Sequence, residues 1–566
     1  MASPKKSKRP APVRQDVRLD ELEAIVERTT KGSLSANDHD TLKAAVDTLG
    51  FLTQELESKD ASIARLRKYL FGASTEKTSE LFDDHVEEAE DATVSDEQQP
   101  AEDRTADSSK AHKPKTKGHG RNGADDYTGA TRVVIPHETL GSGDPCPVCP
   151  RGKLYSMKRP AVLVRVTGMA PLAATVYERA KLRCNLCGEV FTAREPPGVG
   201  EAKYDEGAAS MIALLKYGTG MPFNRLERLQ KGFGIPLPAS TQWDLVAAAS
   251  EKLLPAYQEL VRQAAQGDVI HNDDTTIQIL ELTGKRREQA VAAGDIDPEQ
   301  RVGLFTTGIV SQGEEREIVL FFTGTQHAGE NLADVLKQRE EGLAAPIQMC
   351  DALSHNTCGE FDSILSHCLT HARRQFVEVI ANFPDECRIV IDTLREVYKT
   401  DAEARRQELS AEDRLRLHQE SSGPRMKDLE EWLETQLSEH LVEPNSGLGK
   451  AIQYTRKHWE PLTLFLRVAG APLDNNICER ALKKVIVHRK NAYFFKTRRG
   501  ARVGDLFMSL IHTAERCAAP PFAYLTALQK HAQAVAGAPA EWMPWNYADA
   551  LARVAPAADA NDRAPQ

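Results

Sequence analysis

Two pairs of cysteines have the spacing of a metal site. Cys146 and Cys149 form one Cys-x-x-Cys motif, and Cys184 and Cys187 form a second. Two thiolates on one tight turn can bind the same zinc ion, and a second turn completes a tetrahedron. The alternatives are four unrelated thiols or a redox role, but two pairs placed in this way suit a closed structural Zn²⁺ site better. The 34 residues between the pairs predict an extended zinc ribbon that contains strands.

Four acidic residues stand where they could hold a second kind of metal. Asp273 and Asp274 lie in "HNDDTT", Asp351 lies in "CDALSHN" and Glu479 lies in "NNICER". Three carboxylates can bind two divalent ions about 3.5–4 Å apart, an arrangement that activates an attacking oxygen and stabilises a leaving oxygen. Oxygen ligands favour Mg²⁺ or Mn²⁺ over zinc. This chemistry requires a fold that brings the three carboxylates together.

The segments around these carboxylates predict a sheet. Three strands, "DVIHNDDTTIQIL", "RVGLFTTGIV" and "REIVLFFTG", are followed by a helix, "AGENLADVLKQREEG", and a short fourth strand, "PIQMCDALSHN". This is the opening order of an RNase H-like fold, in which the first and fourth strands are neighbours. Asp273 or Asp274 would then face Asp351, and a later helix would add Glu479.

Each carboxylate also has a structural interpretation. Asn476 and Glu479 have the spacing of a capping box at the start of a helix. Asp351 could cap a turn, and Asp273 or Asp274 could lie on the surface of an edge strand. The metal interpretation is favoured because the structural one needs three coincidences in the right order.

Basic residues surround Glu479. Cations beside a carboxylate cluster can hold a phosphate backbone and offset its repulsion. The candidates for DNA contact are Arg480, Lys483, Lys484, Arg489, Lys490, Arg498 and Arg499. Nearby, Tyr493, Phe494 and Phe495 could stack on an unpaired base, although core packing is expected of at least one.

The N-terminal part of the chain predicts self-association and DNA contact. A seven-residue repeat of apolar residues predicts a coiled-coil helix, with Lys59 as an interruption, at Leu42, Leu49, Leu56, Ile63 and Leu70. An amphipathic helix packed on its own domain is the alternative. The linker that follows is acidic and then basic, and its basic part could lie along phosphates or be solvated. Further on, "MPFNRLERLQKGFGIPLPASTQWDLVAAASEKLL" fits a helix-turn-helix or an ordinary helical hairpin.

Composition limits the class of protein. A chain of 566 residues needs several domains. It has no apolar run long enough for a membrane span, and its basic N-terminus lacks the apolar stretch of a secretory signal. We therefore expect a cytoplasmic, nucleoid-associated bacterial protein. The net charge of −10 does not exclude DNA binding, because acidic residues concentrate in the linker.

The ordered motifs resemble those of the insertion sequence 66 family of transposases, bacterial enzymes named DDE for two aspartates and a glutamate. The matching pieces are "LRKYLFGASTEK", the double Cys-x-x-Cys region, "HNDDTT", "CDALSHN", "CLTHARRQF", "GKAIQYTRKHWEPLTLFL", "DNNICERALKKVIVHRKN" and "SLIHTAERC". They extend from about residue 40 to 535. The most specific are "DNN-x-x-ERAL" with "RKN", and "C-x-x-HARR-x-F".

The resemblance implies that Asp273, Asp351 and Glu479 are the catalytic residues, and that Asp273 is preferred to Asp274. It also implies a helical insertion between the last two, which lie 128 positions apart. Within it, Cys368 and His371 form a Cys-x-x-His pattern. A core cysteine with a hydrogen-bonded histidine is the favoured interpretation, and a zinc site is the alternative.

The expected fold is a multidomain α+β protein with an N-terminal coiled-coil helix, a zinc-ribbon-like β domain, a helical helix-turn-helix region and an RNase H-like α/β catalytic core interrupted by an α-helical insertion. The expected segments are a disordered N-terminus at 1–38, the coiled-coil helix at 39–72, the linker at 73–125, the zinc-binding domain at 126–200, the helical DNA-binding region at 201–266, the core at 267–355 and 470–515, the helical insertion at 356–469, and a C-terminal helical segment and tail at 516–566.

The expected function is that of a DNA transposase that binds terminal inverted repeats and carries out metal-dependent cleavage and strand transfer. Its partners would be double-stranded DNA at the element ends and the target, further copies of itself and accessory proteins of the same element, with no membrane. The alternatives are a transposase-derived DNA-binding regulator without catalysis and an RNase H-like nuclease.

Overall fold

The computed structural model describes residues 202–294, 297–299, 301–313, 316–359 and 361–554, with shorter pieces at 25, 35, 38–43, 142–144, 153, 171–178, 180–183 and 190–192. The chain divides into two compact units, residues 87–171 and the remainder, and every helix and strand named below belongs to the second. All four cysteines of the predicted zinc site lie outside the described residues, as do most of the coiled-coil helix and the linker. The zinc and coiled-coil predictions therefore stay predictions.

The described chain is a mixed α+β protein with a five-stranded sheet. Apart from a two-stranded antiparallel ribbon, β1 (Lys181–Arg183) and β2 (Val190–Thr192), the strands are β3 (Val269–Thr276), β4 (Phe305–Gly313), β5 (Arg316–Gly324), β6 (Ile347–Cys350) and β7 (Ile364–His367). Their order is β5-β4-β3-β6-β7. Strand β4 runs antiparallel to both of its neighbours, β5 and β3, whereas β6 lies parallel to β3 and β7 parallel to β6. The predicted adjacency of the first and fourth strands is confirmed.

Helices make up most of the remaining described chain. In chain order they are α1 (Glu206–Ala213), α2 (Phe223–Gly232), α3 (Ala239–Ala264), α4 (Gly284–Ala292), α5 (Ala328–Leu336), α6 (Leu369–Val379), α7 (Pro384–Arg406), α8 (Ala411–Ser421), α9 (Gly423–Ser438), α10 (Gly447–Lys457), α11 (Trp459–Leu462), α12 (Asn476–Ala492), α13 (Arg498–Arg516), α14 (Pro521–Lys530), α15 (Ala532–Gly537) and α16 (Tyr547–Val554). Among the described residues, no helix combines the length and apolar character that a membrane span requires.

Helix α13 covers the free edge of the sheet. Three of its polar side chains, spaced four residues apart, accept hydrogen bonds from alternate backbone N–H groups of β5. The pairs are Val319 with Thr513 at 3.0 Å, Phe321 with Ser509 at 2.9 Å and Thr323 with Asp505 at 2.8 Å. The spacing matches because four helical residues and two strand residues advance by similar lengths. An edge that would otherwise expose unpaired donors is therefore closed.

Helices α2 and α3 form the predicted helical hairpin, and the turn between them includes Gly234 at φ +74°. Buried residues of α3, including Val246, Leu253 and Leu260, belong to the same hydrophobic core as the sheet. Gln242 donates from its side-chain amide to the carbonyls of Phe223 and Leu237, which fixes the turn. The hairpin is thus packed into the sheet's own core. Its DNA-binding role stays a prediction.

The segment between β6 and α12 has a second hydrophobic core of its own. Helices α6, α7, α9 and α10 supply most of it, with Phe376, Leu394, Leu433 and Ile452 among the buried residues. The segment is helical over the range where the sequence predicts an insertion, and its role as an interruption of an RNase H-like core stays a prediction. One feature differs from that expectation, because residues 364–367 form the fifth strand of the sheet before the helices begin.

Candidate active site

Strand β3 carries Asp273 and Asp274 at the end where its parallel neighbour β6 also ends. Asp273 is opposite Gly308 of β4, and Asp274 is opposite Thr307. Because successive side chains of a strand point to opposite faces, the side chains of Asp273 and Asp274 lie on different faces of the sheet. Asp351 follows β6 directly. Asp273 and Asp351 thus lie together at the carboxyl ends of two neighbouring parallel strands.

Asn356 joins these two aspartates. Its side-chain Nδ2 lies 2.5 Å from Oδ1 of Asp351 and 3.4 Å from Oδ1 of Asp273. The backbone carbonyl of the same residue accepts hydrogen bonds from Asn272 Nδ2 at 2.7 Å and from Gln348 Nε2 at 2.8 Å. Since Asn356 is fully buried, this network fixes the loop after β6 against β3. Sequence reasoning did not identify Asn356.

Glu479 enters from α12, which begins at Asn476 and has Asn475 as its N-cap. Glu479 is therefore one position too far along the helix for the capping-box interpretation, which needs the third helical residue. Its Oε1 is buried and, within the part of the chain that the structure describes, has no hydrogen-bond partner. A buried carboxylate oxygen of this kind can take a water molecule or an ion as its partner.

Asn475 holds the start of α12 on the sheet. Its Nδ2 donates to the carbonyl of Asn272 at 3.1 Å, and its Oδ1 lies 3.1 Å from Nδ1 of His271. Its backbone N–H donates to Sγ of Cys368 at 3.2 Å. Burial lowers the pKa of His271 to about 4, so its ring is neutral at pH 7. These contacts connect β3, α12 and the residue before α6.

A glycine lets α12 lie close to the sheet. A Cβ atom added to Gly308 would come within 3.0 Å of the Leu482 side chain and 3.5 Å of Sγ of Cys478. Cys478 also donates from its thiol to the carbonyl of Gly308 at 3.3 Å. Because Gly308 is the cross-strand partner of Asp273, this close approach brings Glu479 toward that aspartate.

The electrostatics of Asp273 reflect this crowding. Burial raises the pKa of Asp273 to about 7. A hydrogen bond from the Asp274 amide opposes this shift, and the charges of Asp351, Asp274 and Glu479 add to it. Like-charged neighbours in a partly buried site disfavour the ionised form. A divalent cation would reverse the balance, and the residues present therefore fit such a group.

Cys368 and His371 lie beside Glu479. Ligand atoms of the three residues are all within 4.8 Å of one another, and His371 Nδ1 is 3.8 Å from Oε1 of Glu479. Cys368 is buried and accepts the hydrogen bond from Asn475, and burial raises the pKa of its thiol to about 12. A neutral thiol that serves as an acceptor agrees with the core-cysteine interpretation. The 3.8 Å between His371 Nδ1 and Glu479 Oε1 is longer than a hydrogen bond.

Asp274 has a partner of a different kind. Its Oδ2 lies 2.9 Å from Nδ1 of His327, the residue that precedes α5. Asp274 is therefore paired on the face opposite Asp273. The structure therefore gives the two aspartates different surroundings, and the choice of Asp273 as the catalytic one stays a prediction.

The basic residues spread along α12 and the start of α13. Arg489 donates to the hydroxyl of Thr275 at 3.2 Å and to Thr276, at the end of β3. Arg480, Lys483 and Lys490 are exposed. Three others lie near carboxylates, and the pairs are Lys484 with Glu515 at 3.9 Å, Arg498 with Glu281 at 3.7 Å and Arg499 with Glu251 at 3.0 Å. The exposed side chains of Arg480, Lys483 and Lys490 are thus available at the surface.

The aromatic run after α12 divides between core and surface. Phe495 is buried, with 7% of its surface exposed, and its backbone pairs with Ile279. Tyr493 is 69% exposed and adopts a left-handed backbone at φ +66°. The prediction that at least one of the three packs in the core is confirmed. Tyr493 remains the candidate for base stacking.

Comparison with known proteins gives one family match. The chain matches the family described as "Transposase IS66 family" over residues 202–503, more than half of its length. The three candidate carboxylates, Asp273, Asp351 and Glu479, all lie within that span.

Three curated relatives, all uncharacterized proteins of Sinorhizobium fredii, are similar to the chain. The protein y4jD is 29% identical over 331 residues, 56% of this chain and 60% of the relative. The protein y4hP is 26% identical over 521 residues, 87% of this chain and 89% of the relative. The protein y4qI is 25% identical over 349 residues, 60% of this chain and 62% of the relative. The chain thus spans less than two thirds of y4jD and y4qI.

Proposed function

The chain belongs to the IS66 family of transposases, and we propose that it is an active DNA transposase of a bacterial insertion sequence. It would bind the terminal inverted repeats of its element, cleave the ends and join 3′-hydroxyls to target phosphates. The observation that carries the proposal is the clustering of three carboxylates. Asn356 Nδ2 lies 2.5 Å from Asp351 and 3.4 Å from Asp273, and α12, which carries Glu479, packs closely on Gly308, the cross-strand partner of Asp273.

The catalytic core is proposed to be RNase H-like. The strand order β5-β4-β3-β6-β7, with three antiparallel strands followed by two parallel ones, supports this. In that arrangement the first carboxylate is on the central strand and the second follows the neighbouring strand. The third comes from a helix after the insertion, as Glu479 does on α12.

Asp273, Asp351 and Glu479 would hold Mg²⁺ or Mn²⁺. Three carboxylates supply the oxygen ligands that a hard divalent cation prefers. Such an ion would also offset the burial and crowding that raise the pKa of Asp273. The bound ions supply activation of the attacking oxygen and stabilisation of the leaving oxygen. Asn356 and His371 would act as positioning residues, because one connects two of the carboxylates and the other lies against the third.

The DNA would lie across the exposed cations of α12 and the start of α13. Arg480, Lys483 and Lys490 project at the surface of the helix that carries Glu479. Contacts of this kind go mainly to phosphates, so affinity should fall steeply with salt concentration. The N-terminal segment is proposed to bind the terminal repeats through its basic linker and zinc region, and to pair transposase copies through its coiled coil.

A strand-transfer assay separates the proposal from its two rivals. A labelled duplex with the terminal repeat is incubated with target plasmid and Mg²⁺, and the joined product is measured. A regulator without catalysis would bind the end but leave it intact, whereas a nuclease would cut without joining. Joined product that disappears in Glu479→Gln while end binding is retained would support the proposal.

The zinc proposal has its own test. Replacing Cys184 by serine should lower the zinc content of the purified chain by about one ion and weaken binding to the terminal repeat. The region 267–515 should remain folded, which limited proteolysis can verify. Unchanged zinc content would contradict the ligand assignment.

A further inference from the structure

A second cluster of metal-ligating side chains lies on the other face of the sheet. Asp274, His327 and His355 each place one ligand atom within 4.8 Å of the ligand atoms of the other two. The Asp274 carboxylate is 2.9 Å from Nδ1 of His327, and the ring centres of His327 and His355 are 4.4 Å apart. The proposed function uses none of these three residues.

The donor set indicates the class of ion. Two imidazoles and one carboxylate favour first-row transition metals such as Zn²⁺, whereas Mg²⁺ prefers oxygen ligands alone. Ligand atoms on a tetrahedral zinc lie about 3.3 Å apart, given Zn–N and Zn–O bonds of about 2.0–2.2 Å. The distance between Asp274 Oδ2 and His327 Nδ1, 2.9 Å, is close to this separation. A zinc ion can therefore take the place of the proton shared by these two atoms after small side-chain movements.

Close backbone packing brings the three segments together. The loop that contains His355 passes so near α5 that a Cβ atom added to Gly329 would be 2.2 Å from the carbonyl oxygen of Thr357 and 2.8 Å from that of His355. His327 precedes α5 and packs against Phe305 of β4, with ring centres 4.2 Å apart and the ring planes tilted by 37°. The three ligands thus come from three segments that backbone packing already holds in contact.

We propose that Asp274, His327 and His355 form a binding site for Zn²⁺ or a similar imidazole-preferring divalent ion, separate from the catalytic carboxylates. Three protein ligands leave a fourth position for water. The ion would connect β3, the start of α5 and the loop after β6. Asp274 is the neighbour of Asp273 in sequence, and His355 is the neighbour of Asn356. Occupation of this site would therefore order the residues that position Asp273 and Asp351.

The test measures metal content and uses no DNA, so its result is independent of the proposed function. Wild-type full chain and variants are dialysed against buffered micromolar Zn²⁺, and zinc per chain is measured by elemental analysis. The variants are His355→Ala and Asp274→Asn. The second keeps an oxygen for the His327 hydrogen bond and removes the charge. The control is His531→Gln, which changes a histidine that stacks on Trp542.

We expect wild type and His531→Gln to hold one zinc ion per chain more than His355→Ala and Asp274→Asn. Zinc bound elsewhere contributes equally to the zinc content of wild type and all variants, because each of these proteins keeps the other cysteines and carboxylates. Millimolar Mg²⁺ should leave the difference unchanged. Zinc should also raise the melting temperature of wild type about 2–4 °C more than that of the two variants.

Equal zinc content in wild type and both variants would overturn the proposal. Displacement of the extra zinc by Mg²⁺ would do so as well, since it would place the ion on oxygen ligands alone. If His355→Ala does not fold, Asp274→Asn still decides the question, because asparagine changes neither the size of the side chain nor its hydrogen bond.

Discussion

Asp401 of the helical insertion and Asp273 of the sheet are both withdrawn from solvent, and their surroundings are opposite. Asp401, on α7, is 1% exposed and accepts hydrogen bonds from Arg405, from Arg414 at 2.7 Å and from His418 at 3.3 Å. Although burial raises its pKa, these three partners hold the pKa of Asp401 well below its usual range. At Asp273, burial and then the charges of neighbouring carboxylates raise the pKa to about 7.

The difference separates a structural charge from a functional one. A buried carboxylate with cationic partners contributes to folding once those partners are in place. One surrounded by carboxylates costs stability until a cation arrives, and such sites are retained for function. The charge of Asp401 is therefore balanced by partners within the helical segment, whereas balancing the charges around Asp273 is the role proposed for a divalent metal.

The largest effect should come from Glu479→Gln. Glutamine has nearly the same size but lacks the charge that a metal ligand needs, so strand transfer in Mg²⁺ should fall at least about a hundredfold. Folding and end binding should be retained. Asp273→Asn and Asp351→Asn should behave alike, and the losses should not add in double variants, because the three residues act as one unit.

A helix-capping role for Glu479 would give the opposite result, because glutamine also functions in a capping box. Strand transfer by Glu479→Gln at a rate near that of wild type would therefore end the DDE assignment. Lys427→Gln is a suitable control, because this exposed residue of α9 pairs only weakly, at 3.8 Å, with Glu431.

The insertion should show the reverse pattern at Asp401. Asp401→Ala leaves Arg414 and His418 partly or fully buried without their anion, and breaking a buried ion pair of this kind costs about 3–5 kcal/mol. The free energy of unfolding, measured with urea, should fall by that amount. Asp428→Ala is the matched control on α9, because Asp428 is exposed. An equal effect of the two changes would contradict the structural role.

At Asp273 the same kind of substitution should stabilise the protein. The pKa of this group is raised from 3.8 to about 7 on folding. The folded state therefore binds more protons than the unfolded state between those values, and stability falls as pH rises through this range. Asp273→Asn removes that loss, so without added divalent ions it should be more stable than wild type at pH 8, by roughly 2–4 kcal/mol.

The advantage of Asp273→Asn should shrink toward pH 4. Added Mg²⁺ should raise the melting temperature of wild type and have little effect on Asp273→Asn. A variant that is less stable than wild type at pH 8 would show that burial and the neighbouring carboxylates do not raise the pKa of Asp273 in the folded chain.

The sequence predicted the sheet better than it predicted what surrounds the site. Long apolar strands such as β4 and β5 have a strong periodic signal, and the motif order placed Asp273 and Asp351 on adjacent strands. Strand β7, "ILSH", is only four residues long and precedes a long helical region, so periodicity could not separate it from the insertion.

The positioning residues were beyond the reach of the sequence for a different reason. Asn356 is an asparagine in a polar loop, where that residue is usual for turn formation. Its contacts join Asp351, five residues away, with Asp273, which is 83 residues away. Asn475 likewise bonds to Asn272 and His271 across more than 200 residues. Such pairs exist only in the tertiary fold.

A smaller effect is expected at Gly308. A Cβ atom there would press on Leu482 of α12 at 3.0 Å, so Gly308→Ala should move the helix and Glu479 by a few tenths of an ångström. Strand transfer should fall about tenfold, since misplacement of a catalytic group lowers the rate without removing it. Gly324→Ala is the control, because nothing lies within 4 Å of a Cβ atom added there. Equal activity of both variants would show that α12 tolerates the displacement.

The smallest effect should be that of Asp274→Asn, which compares two adjacent aspartates. Asp274 already has His327 as its partner at 2.9 Å, and it points to the face of the sheet opposite Asp273. Asparagine can still accept the hydrogen bond from the imidazole, so unfolding free energy should change by about 1 kcal/mol or less. In Mg²⁺ without zinc, strand transfer should stay within about tenfold of wild type, in contrast to the loss expected for Asp273→Asn. If the two substitutions reduce strand transfer equally, the face of the strand does not determine which carboxylate is catalytic, and both aspartates must act on the metal together.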